Sequence, residues 1–395
     1  MRMLQSKKVM ANFVGRRNNE VVASNPRNEE EAPEARDRET VEIFIENMQR
    51  ESLVRFSSKQ VAAFTWNYST KLGAGAFGVV YKGEFPNGVQ LAVKVLKYNN
   101  NVDKMMEVQF MAEVSTIGRT HHRNLVRLYG FCFDARTKAL VYEYKENGSL
   151  DRLLFGNDHR IEWEKLYEIA VGAAKGLEYL HHYGHKRIIH HDIKPCNVLL
   201  DSNLCPKLAD FGLAKLSDLD STHENLSRVG GTPGYAAPEV WTTFPVTYKC
   251  DVYSFGMMLF EIIGRRRNLD SRLSESQEWF PRRVWDKFDK GELEEILADK
   301  EIEEKDLVKA KTMCVVALFR VQYIPEARPS MIDVVKMLEG GVQVTPPPNP
   351  FQHWLASTVP PYTQSSTSTT SDGTTENCTI QFMIKHESEE VFSAR

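Results

Sequence analysis

Three glycines stand close together in Gly73-Ala74-Gly75-Ala76-Phe77-Gly78. Glycine lets a backbone approach a phosphate closely, and its free N–H groups cradle anionic oxygens. The loop alone is a weak sign. In a dinucleotide-binding unit the third glycine opens a helix, whereas Gly78 runs into the strand-like Val79-Val80-Tyr81. No Gly-Lys-Ser/Thr follows, so the segment is not a P-loop. Further on, Ala92-Val93-Lys94 sets a lysine in an alternating apolar run. Period two puts Lys94 on the face of Ala92, and a lysine turned inward needs a counter-charge. Glu113, in the helical stretch Phe110 to Ile117, can supply it.

A second cluster reads Ile189-His190-His191-Asp192-Ile193-Lys194-Pro195-Cys196-Asn197, and a third Leu208-Ala209-Asp210-Phe211-Gly212. Asp192, Lys194 and Asn197 offer a base, a cation and a metal-binding oxygen within six residues. Asp210 adds a carboxylate beside a glycine hinge. Magnesium prefers oxygen ligands and takes one or two carboxylates plus phosphate oxygens; Asn197 and Asp210 meet that need. Each residue by itself is an ordinary surface polar group. The ordered set is not, because chance would have to reproduce every member in sequence.

These groups need elements to position them. Val79-Val80-Tyr81 and Val89 to Val95 flank Pro86-Asn87-Gly88, and Asn-Gly between two such runs predicts a hairpin. From about Ile161 the pattern turns helical, with Trp163, Leu166, Ile169, Ala170 and Ala173 on one face. A β-rich unit followed by a helical one implies two lobes with a cleft between them. The flanks differ. Residues 1–40 are polar and patternless and are expected to be disordered. Val41, Phe44, Ile45 and Met48 fall at helical spacing and predict a short helix in the segment 41–67. Pro346, Pro347, Pro348 and Pro350 stop any helix, and a Ser/Thr-rich run from Ser357 to Thr379 cannot build a core.

The 395 residues carry a net charge of -3, which disfavours a general nucleic-acid binder. The six cysteines include no C-x-x-C pair, which argues against a zinc site or a disulfide framework and suits a reducing compartment. No apolar run approaches the roughly 20 residues of a spanning helix; the richest stretch, Met257 to Ile263, is interrupted by Glu261. The N-x-S/T sites at Asn67, Asn147, Asn225 and Asn377 are taken as chance matches, because no signal peptide is expected at the start. Arg2, Lys7, Lys8, Arg16 and Arg17 form a basic head, by default a solvated tail, with peripheral contact with an anionic membrane surface or a weak transit peptide as the alternatives.

From about Tyr68 to Glu339 the chain resembles a eukaryotic protein kinase: glycine loop, strand lysine, helix glutamate, catalytic loop, Asp210-Phe211-Gly212, Ala237-Pro238-Glu239 and Asp251 all occur in order. Leu140 to Leu150 and Asp251 to Gly256 are similar to plant receptor-like kinases. Phe110 to Val114, Gly231 to Glu239 and Ser276 to Pro281 resemble the rust-resistance-kinase-like group. The resemblance implies an α+β, bilobal kinase fold at 68–339, with N-lobe 68–142, hinge 143–147 and C-lobe 148–339, followed by a tail 340–395. It implies ATP and Mg2+, with Mn2+ as a substitute. Gly73, Gly75 and Gly78 would cover the phosphates, and Lys94, held by Glu113, would bind the α and β phosphates. Leu72, Val80 and Ala92 would roof the adenine over Leu199, Tyr142 would be the gatekeeper, and Glu143, Tyr144 and Lys145 the hinge. Asp192 would take the substrate hydroxyl proton, with Lys194 marking a serine/threonine kinase and Thr232 supporting the substrate pocket. Glu239 and Arg328 would pair to fix the helical lobe, and Ile117, Leu128, His190 and Phe211 would stack as a spine.

One departure stands out. His191 precedes Asp192, where many kinases have arginine to pair with a phosphorylated activation loop. A histidine is mostly neutral at pH 7. The chain is therefore similar to the non-RD kinases, and activity is expected to depend weakly on phosphorylation at Ser221, Thr222, Ser227 or Thr232. The expected function is phosphoryl transfer from ATP to protein hydroxyls in receptor-linked, defence-type signalling. The alternatives are a catalytically weak pseudokinase scaffold, or the intracellular part of a truncated membrane receptor kinase. The expected partners are protein substrates and a membrane receptor or co-receptor. The expected place is the cytoplasm, including the inner face of the plasma membrane.

Overall fold

The alternation at 89–95 resolves into a strand whose two faces do different work. A computed structural model of the protein describes residues 53–352, apart from 76–77, 98–102, 136, 157–160, 183–185, 219–229, 243–244, 271–278 and 301. The basic head, the helix predicted near Val41, Ser221, Thr222, Ser227 and most of the C-terminal tail lie outside the described residues. Strand β4 (Gln90–Leu96) pairs antiparallel with β3 (Gly78–Glu84), Tyr81 opposite Val93. Gly88, at φ +82°, closes the hairpin, a backbone that favours glycine. Leu91 and Val93 are fully buried, while Ala92 and Lys94, on the other face, are only half-buried.

β3 and β4 belong to a six-stranded sheet in the order β1-β5-β6-β4-β3-β2. The remaining strands are β1 (Val54–Arg55), β2 (Lys71–Ala74), β5 (Leu128–Phe133) and β6 (Lys138–Glu143). Helix α2 (Asp103–Ile117) covers it, burying Phe110, Val114 and Ile117 at helical spacing together with Glu113.

The sheet lobe reaches further upstream than the expected boundary at Tyr68. β1 pairs parallel with β5, Val54 opposite Gly130. A Cβ on Gly130 would stand 2.0 Å from the Val54 carbonyl oxygen, so only glycine lets β1 lie there. Helix α1 (Ser58–Phe64) opens on a capping box between Ser57 and Gln60. Phe56, Phe64 and Phe85 then form an edge-to-face cluster, with Phe64 and Phe85 centroids 5.1 Å apart. The part of the 41–67 segment from Leu53 onward is therefore packed into the lobe, because its aromatic side chains have a sheet edge to cover.

The second lobe is helical: α3 (Leu150–Phe155), α4 (Trp163–His182), α5 (Lys249–Gly264), α6 (Phe280–Asp289), α7 (Leu293–Leu297), α8 (Leu307–Arg320) and α9 (Met331–Leu338). On α4 the face Trp163, Leu166, Ile169, Ala170 and Ala173 is buried, as its spacing predicts. Helix α5 is buried from Cys250 to Gly264, which explains a helix apolar on all sides. Glu261, which interrupts that run in sequence, is buried and accepts from the Tyr235 hydroxyl at 2.7 Å and the Asn268 amide at 3.1 Å. Short strands β7 (Lys186–Ile189), β8 (Val198–Leu200), β9 (Pro206–Leu208) and β10 (Lys215–Asp218) carry the loops between α4 and α5, pairing as β7–β10 and β8–β9. Beyond α9 the chain stays docked: the Gln322 side chain donates to the Pro348 carbonyl at 3.0 Å, and Phe351 packs on Trp279 with centroids 4.8 Å apart. The first part of the expected tail is thus an anchored strap. No helix among the described residues is long and apolar enough to cross a membrane.

Candidate active site

Lys94 sits where period two placed it. Its Nζ lies 2.9 Å from Glu113 Oε2 and 2.6 Å from Asp210 Oδ1, joining the sheet, the helix over it and the second lobe. Burial works to lower the Lys94 pKa, and the two carboxylates outweigh it, so the ammonium stays charged. Burial likewise opposes ionisation of Asp210, and Lys94 more than compensates, holding the carboxyl below its usual range. Glu113 shares that lysine, so burial dominates there and its carboxyl is pushed up. A contact not read from the sequence completes the group: the Tyr142 hydroxyl donates to Glu113 Oε1. The available signal was register, since Tyr142 stands opposite Ala92 on the face of Lys94.

Asp192 anchors a second network. Thr232 Oγ1 donates to Asp192 Oδ1 at 2.6 Å, Lys194 Nζ lies 2.9 Å from Asp192 Oδ2, and Lys194 donates to Thr232 Oγ1 at 2.5 Å. Asn197 Nδ2 donates to the Asp192 carbonyl at 2.8 Å and to its Oδ2 at 2.9 Å. These bonds occupy the amide nitrogen of Asn197 and leave the sense of its side chain fixed, with the oxygen as its remaining donor to a cation.

Backbone strain accompanies the network. His191 and Asp210 both have φ +64°, left-handed values that cost non-glycine residues energy. Asp251, fully buried at the head of α5, accepts from the backbone N–H groups of His190 (2.7 Å) and His191 (2.8 Å) and from His181 Nε2 (3.0 Å). This clamp holds the turn that presents Asp192. His190 contacts the Ala209 carbonyl at 3.0 Å and packs at a tilt against Phe211 with centroids 4.7 Å apart. Ile117, Leu128 and Phe211 are buried with it. The His191 ring points inward, with Nδ1 3.5 Å from Cys250 Sγ, and burial pushes its pKa down to about 4. It is neutral at pH 7, as the sequence implied, and more firmly so.

The three glycines divide. A Cβ on Gly73 or Gly75 would meet nothing within 4 Å, so an open cradle lies over the cleft there. A Cβ on Gly78 would stand 2.4 Å from the Val95 carbonyl oxygen, so Gly78 is required by the sheet itself. Leu72 (β2), Val80 (β3), Ala92 (β4) and Leu199 (β8) are half-buried; Ala92 lies between buried Leu91 and Val93, and Leu199 between buried Val198 and Leu200. The linking segment is braced by Glu143, whose Oε1 accepts from the Arg127 amide at 3.1 Å and whose Oε2 lies 3.1 Å from Lys145 Nζ. Tyr144 stacks under Lys82, 4.8 Å from its ring centroid. Across the cleft Arg152 on α3 donates to the Leu72 carbonyl at 3.4 Å, a contact the sequence did not suggest. At the base of the helical lobe Arg328 grips Glu239 through two bonds, Nη1 to Oε1 at 2.5 Å and Nη2 to Oε2 at 2.8 Å.

A cleft that sets a charged lysine, a glutamate and a glycine cradle on one side, and Asp210 and a hydrogen-bonded aspartate beside a lysine on the other, is suited to placing a polyphosphate against a hydroxyl. The sequence pattern of the family described as protein tyrosine and serine/threonine kinase matches residues 66–338. The chain is 42% identical over 320 residues to the rust resistance kinase Lr10 of Triticum aestivum, covering 79% of this chain and 49% of that protein. It is 41% identical over 325 residues to the PR5-like receptor kinase of Arabidopsis thaliana, covering 80% and 48%. To the leaf rust 10 disease-resistance locus receptor-like protein kinase-like 2.2 of Arabidopsis thaliana it is 42% identical over 307 residues, covering 76% and 47%. The chain spans about half the length of these curated relatives. Cleft geometry and sequence likeness agree: the chain belongs to the protein tyrosine and serine/threonine kinase family and carries a kinase domain homologous to those of plant receptor-like kinases.

Proposed function

We propose that this protein transfers the γ-phosphoryl group of ATP to serine or threonine hydroxyls of other proteins. The observation that carries the reading is the Asp192–Thr232–Lys194 network, set in the same cleft as the Lys94–Glu113–Asp210 trio. Asp192, oriented by Thr232 and Asn197, accepts the proton of the attacking hydroxyl. Lys194 places a positive charge beside that carboxylate and the incoming phosphoryl group. Lys94, released in part from its two carboxylates, holds the α and β phosphates, while Glu113, steadied by Tyr142, keeps the ammonium in place. Gly73 and Gly75 close over the phosphates, and Leu72, Val80, Ala92 and Leu199 sandwich the base.

The donor set fits a magnesium ion. Asn197 and Asp210 offer oxygens, and among the described residues no group of three His, Cys, Asp or Glu side chains forms a cage of its own. Magnesium prefers such sparse oxygen sites, keeping waters and phosphate oxygens as its other ligands. Asn197 and Asp210 would hold it, and Mn2+ suits the same oxygens. When bound, the ion neutralises charge on the phosphate oxygens.

Transfer of label from γ-labelled ATP to a protein acceptor tests the reading. Asp192→Asn is expected to lower the rate about 10²–10⁴-fold with nucleotide binding retained. Equal signal from both proteins removes the catalytic claim and leaves the scaffold.

The segment 219–229, outside the described residues, carries Ser221, Thr222 and Ser227. A neutral, buried His191 offers little attraction for a phosphate there, so activity should survive alanine at all three. Loss of activity in that triple variant would show phosphorylation dependence instead. The names of two relatives, a rust resistance kinase and a PR5-like receptor kinase, support a proposed role in receptor-linked, defence-type signalling. Cell fractionation with phosphoproteomics of an Asp192→Asn line tests that setting.

A further inference from the structure

A cavity of about 960 Å3 lies outside the cleft, on the helical lobe. Helix α4, the turn between β8 and β9, helix α8 and the end of α9 build it. Its floor is apolar, with Val171, Leu204, Pro206 and Leu338, and Val308 stands at its edge 73% exposed. Its rim holds four cations, Arg123, Lys165, Lys175 and Lys309, against two carboxylates, Glu168 and Glu339. Three of the cations have acidic neighbours: Lys165 lies 2.6 Å from Glu168, Lys175 2.5 Å from Glu339, and Lys309 3.1 Å from Asp306. The Lys165–Glu168 and Lys175–Glu339 pairs are exposed on both sides, so they are weak and exchange readily for a better-placed carboxylate, whereas Lys309 keeps a buried partner in Asp306.

The chain carries a segment of matching chemistry. Ile380-Gln381-Phe382-Met383-Ile384 is an apolar block, and Glu387-Ser388-Glu389-Glu390 an acidic one close behind it. Apolar side chains then acid suit an apolar floor with a cationic rim. Reach suits it as well. The main chain leaves the groove at Gly340, which lines it, and is described as far as Gln352. The 27 residues between Gln352 and Ile380 can stretch to about 90 Å and, as a coil, separate their ends by about 30 Å. A tether of that length holds the segment at an effective concentration near the millimolar range.

We propose that residues 380–390 dock in this groove of their own chain, the apolar block on the floor and the glutamates on the lysines. The proposal stands apart from the catalytic reading, since none of its residues belongs to the cleft. It is tested in the full-length chain by placing photoreactive benzoylphenylalanine at Val308, with Val108 on the sheet lobe, 62% exposed, as the control position. Isotopically heavy and light copies are mixed so that links within and between chains separate by mass. Links from Val308 within one chain into 376–395, and none from Val108, are expected. Charge reversal by E387K/E389K/E390K should cut the yield about five-fold, the effect of losing a few exposed pairs. K175E/K309E should do the same, and the two sets combined should restore it. The tail variant cannot unfold the groove, so it keeps the test sharp if the lysine variant is damaged. Links between heavy and light copies, links from Val308 only to other parts of the chain, no links, or a yield indifferent to charge reversal would each overturn the proposal, the first in favour of a second copy as occupant.

Discussion

The cleft and the base of the helical lobe are each held by a buried cation, and the two are built in opposite ways. Arg328 is fully buried and spends its donors on permanent partners: both oxygens of Glu239 and the carbonyls of Gln322, Lys249 and Tyr323. Lys94 keeps 12% of its side chain exposed and is shared between carboxylates of the two lobes. A single ammonium between two acids can turn to a third anion with little loss. A guanidinium with five satisfied directions cannot. The first arrangement suits a site that takes and releases a phosphate, the second a fixed scaffold. Arg320, on α8, is a third case. It is as buried as Arg328, yet among the described residues its hydrogen-bond partners are the Pro329 carbonyl at 3.2 Å and Met337 Sδ at 3.3 Å, and its Nε has none. Burial alone therefore says nothing about what a charge is for; its partners do.

Arg328→Met is the strongest way to sharpen this contrast. It strands Glu239 in the core and should destabilise the protein by about 3–5 kcal/mol, lowering the thermal midpoint by about 10 °C. A shift below about 1 kcal/mol would mean that water or a neighbour replaces the guanidinium, and the scaffold reading would go. Lys94→Met should do the reverse, lowering phosphoryl transfer about 10²–10³-fold in a kinetic assay with little change in midpoint. A fall in midpoint as large as that of Arg328→Met would show that both pairs are scaffold.

His191 extends the comparison to pH. Its folded pKa, about 4, lies below the ordinary 6.5. The unfolded chain therefore binds the extra proton first as pH falls. Stability is unaffected above pH 6.5 and declines between pH 6.5 and 4, by about 3 kcal/mol in all. The groups that face the ring include Asp251, which opposes the shift, and Lys215, His190 and His181, which add to it. In His191→Gln the acid-side slope of stability, followed by thermal melts across that window, should flatten; an unchanged slope would place the titration elsewhere.

Arg320→Met is expected to have the smallest effect, a gain of about 1–3 kcal/mol by calorimetry, because it removes a buried charge to which no carboxylate is hydrogen-bonded among the described residues, Asp333 acting on it only at longer range. A loss of stability would assign Arg320 to the scaffold beside Arg328.

Much of the cleft was legible. The alternation around Lys94, the demand for a counter-charge and the helical spacing near Glu113 led to a pair that is in hydrogen-bond contact. Asn87-Gly88 gave the hairpin, and α4 buries the face its spacing marks. The upstream edge was not legible. β1 is two residues long, too short for any period, and the cluster of Phe56, Phe64 and Phe85 joins residues from three elements. Nor did composition separate Gly78 from Gly73 and Gly75, since only the path of β4 decides which glycine faces a backbone and which faces open space.

By itself the sequence determined the identity and order of the reactive groups, because each is a side chain at a fixed place in a recognisable local pattern. Residue type and burial pattern alone do not tell Arg320 from Arg328, eight positions apart on one continuous stretch; only the resemblance to kinases marked Arg328 as the partner of Glu239. Whether a charge finds a partner depends on a residue brought from elsewhere; Glu239 lies 89 positions from Arg328. Only the tertiary structure supplies that contact, and with it the difference between a charge held for exchange, one held for good and one with no acid bonded to it among the described residues.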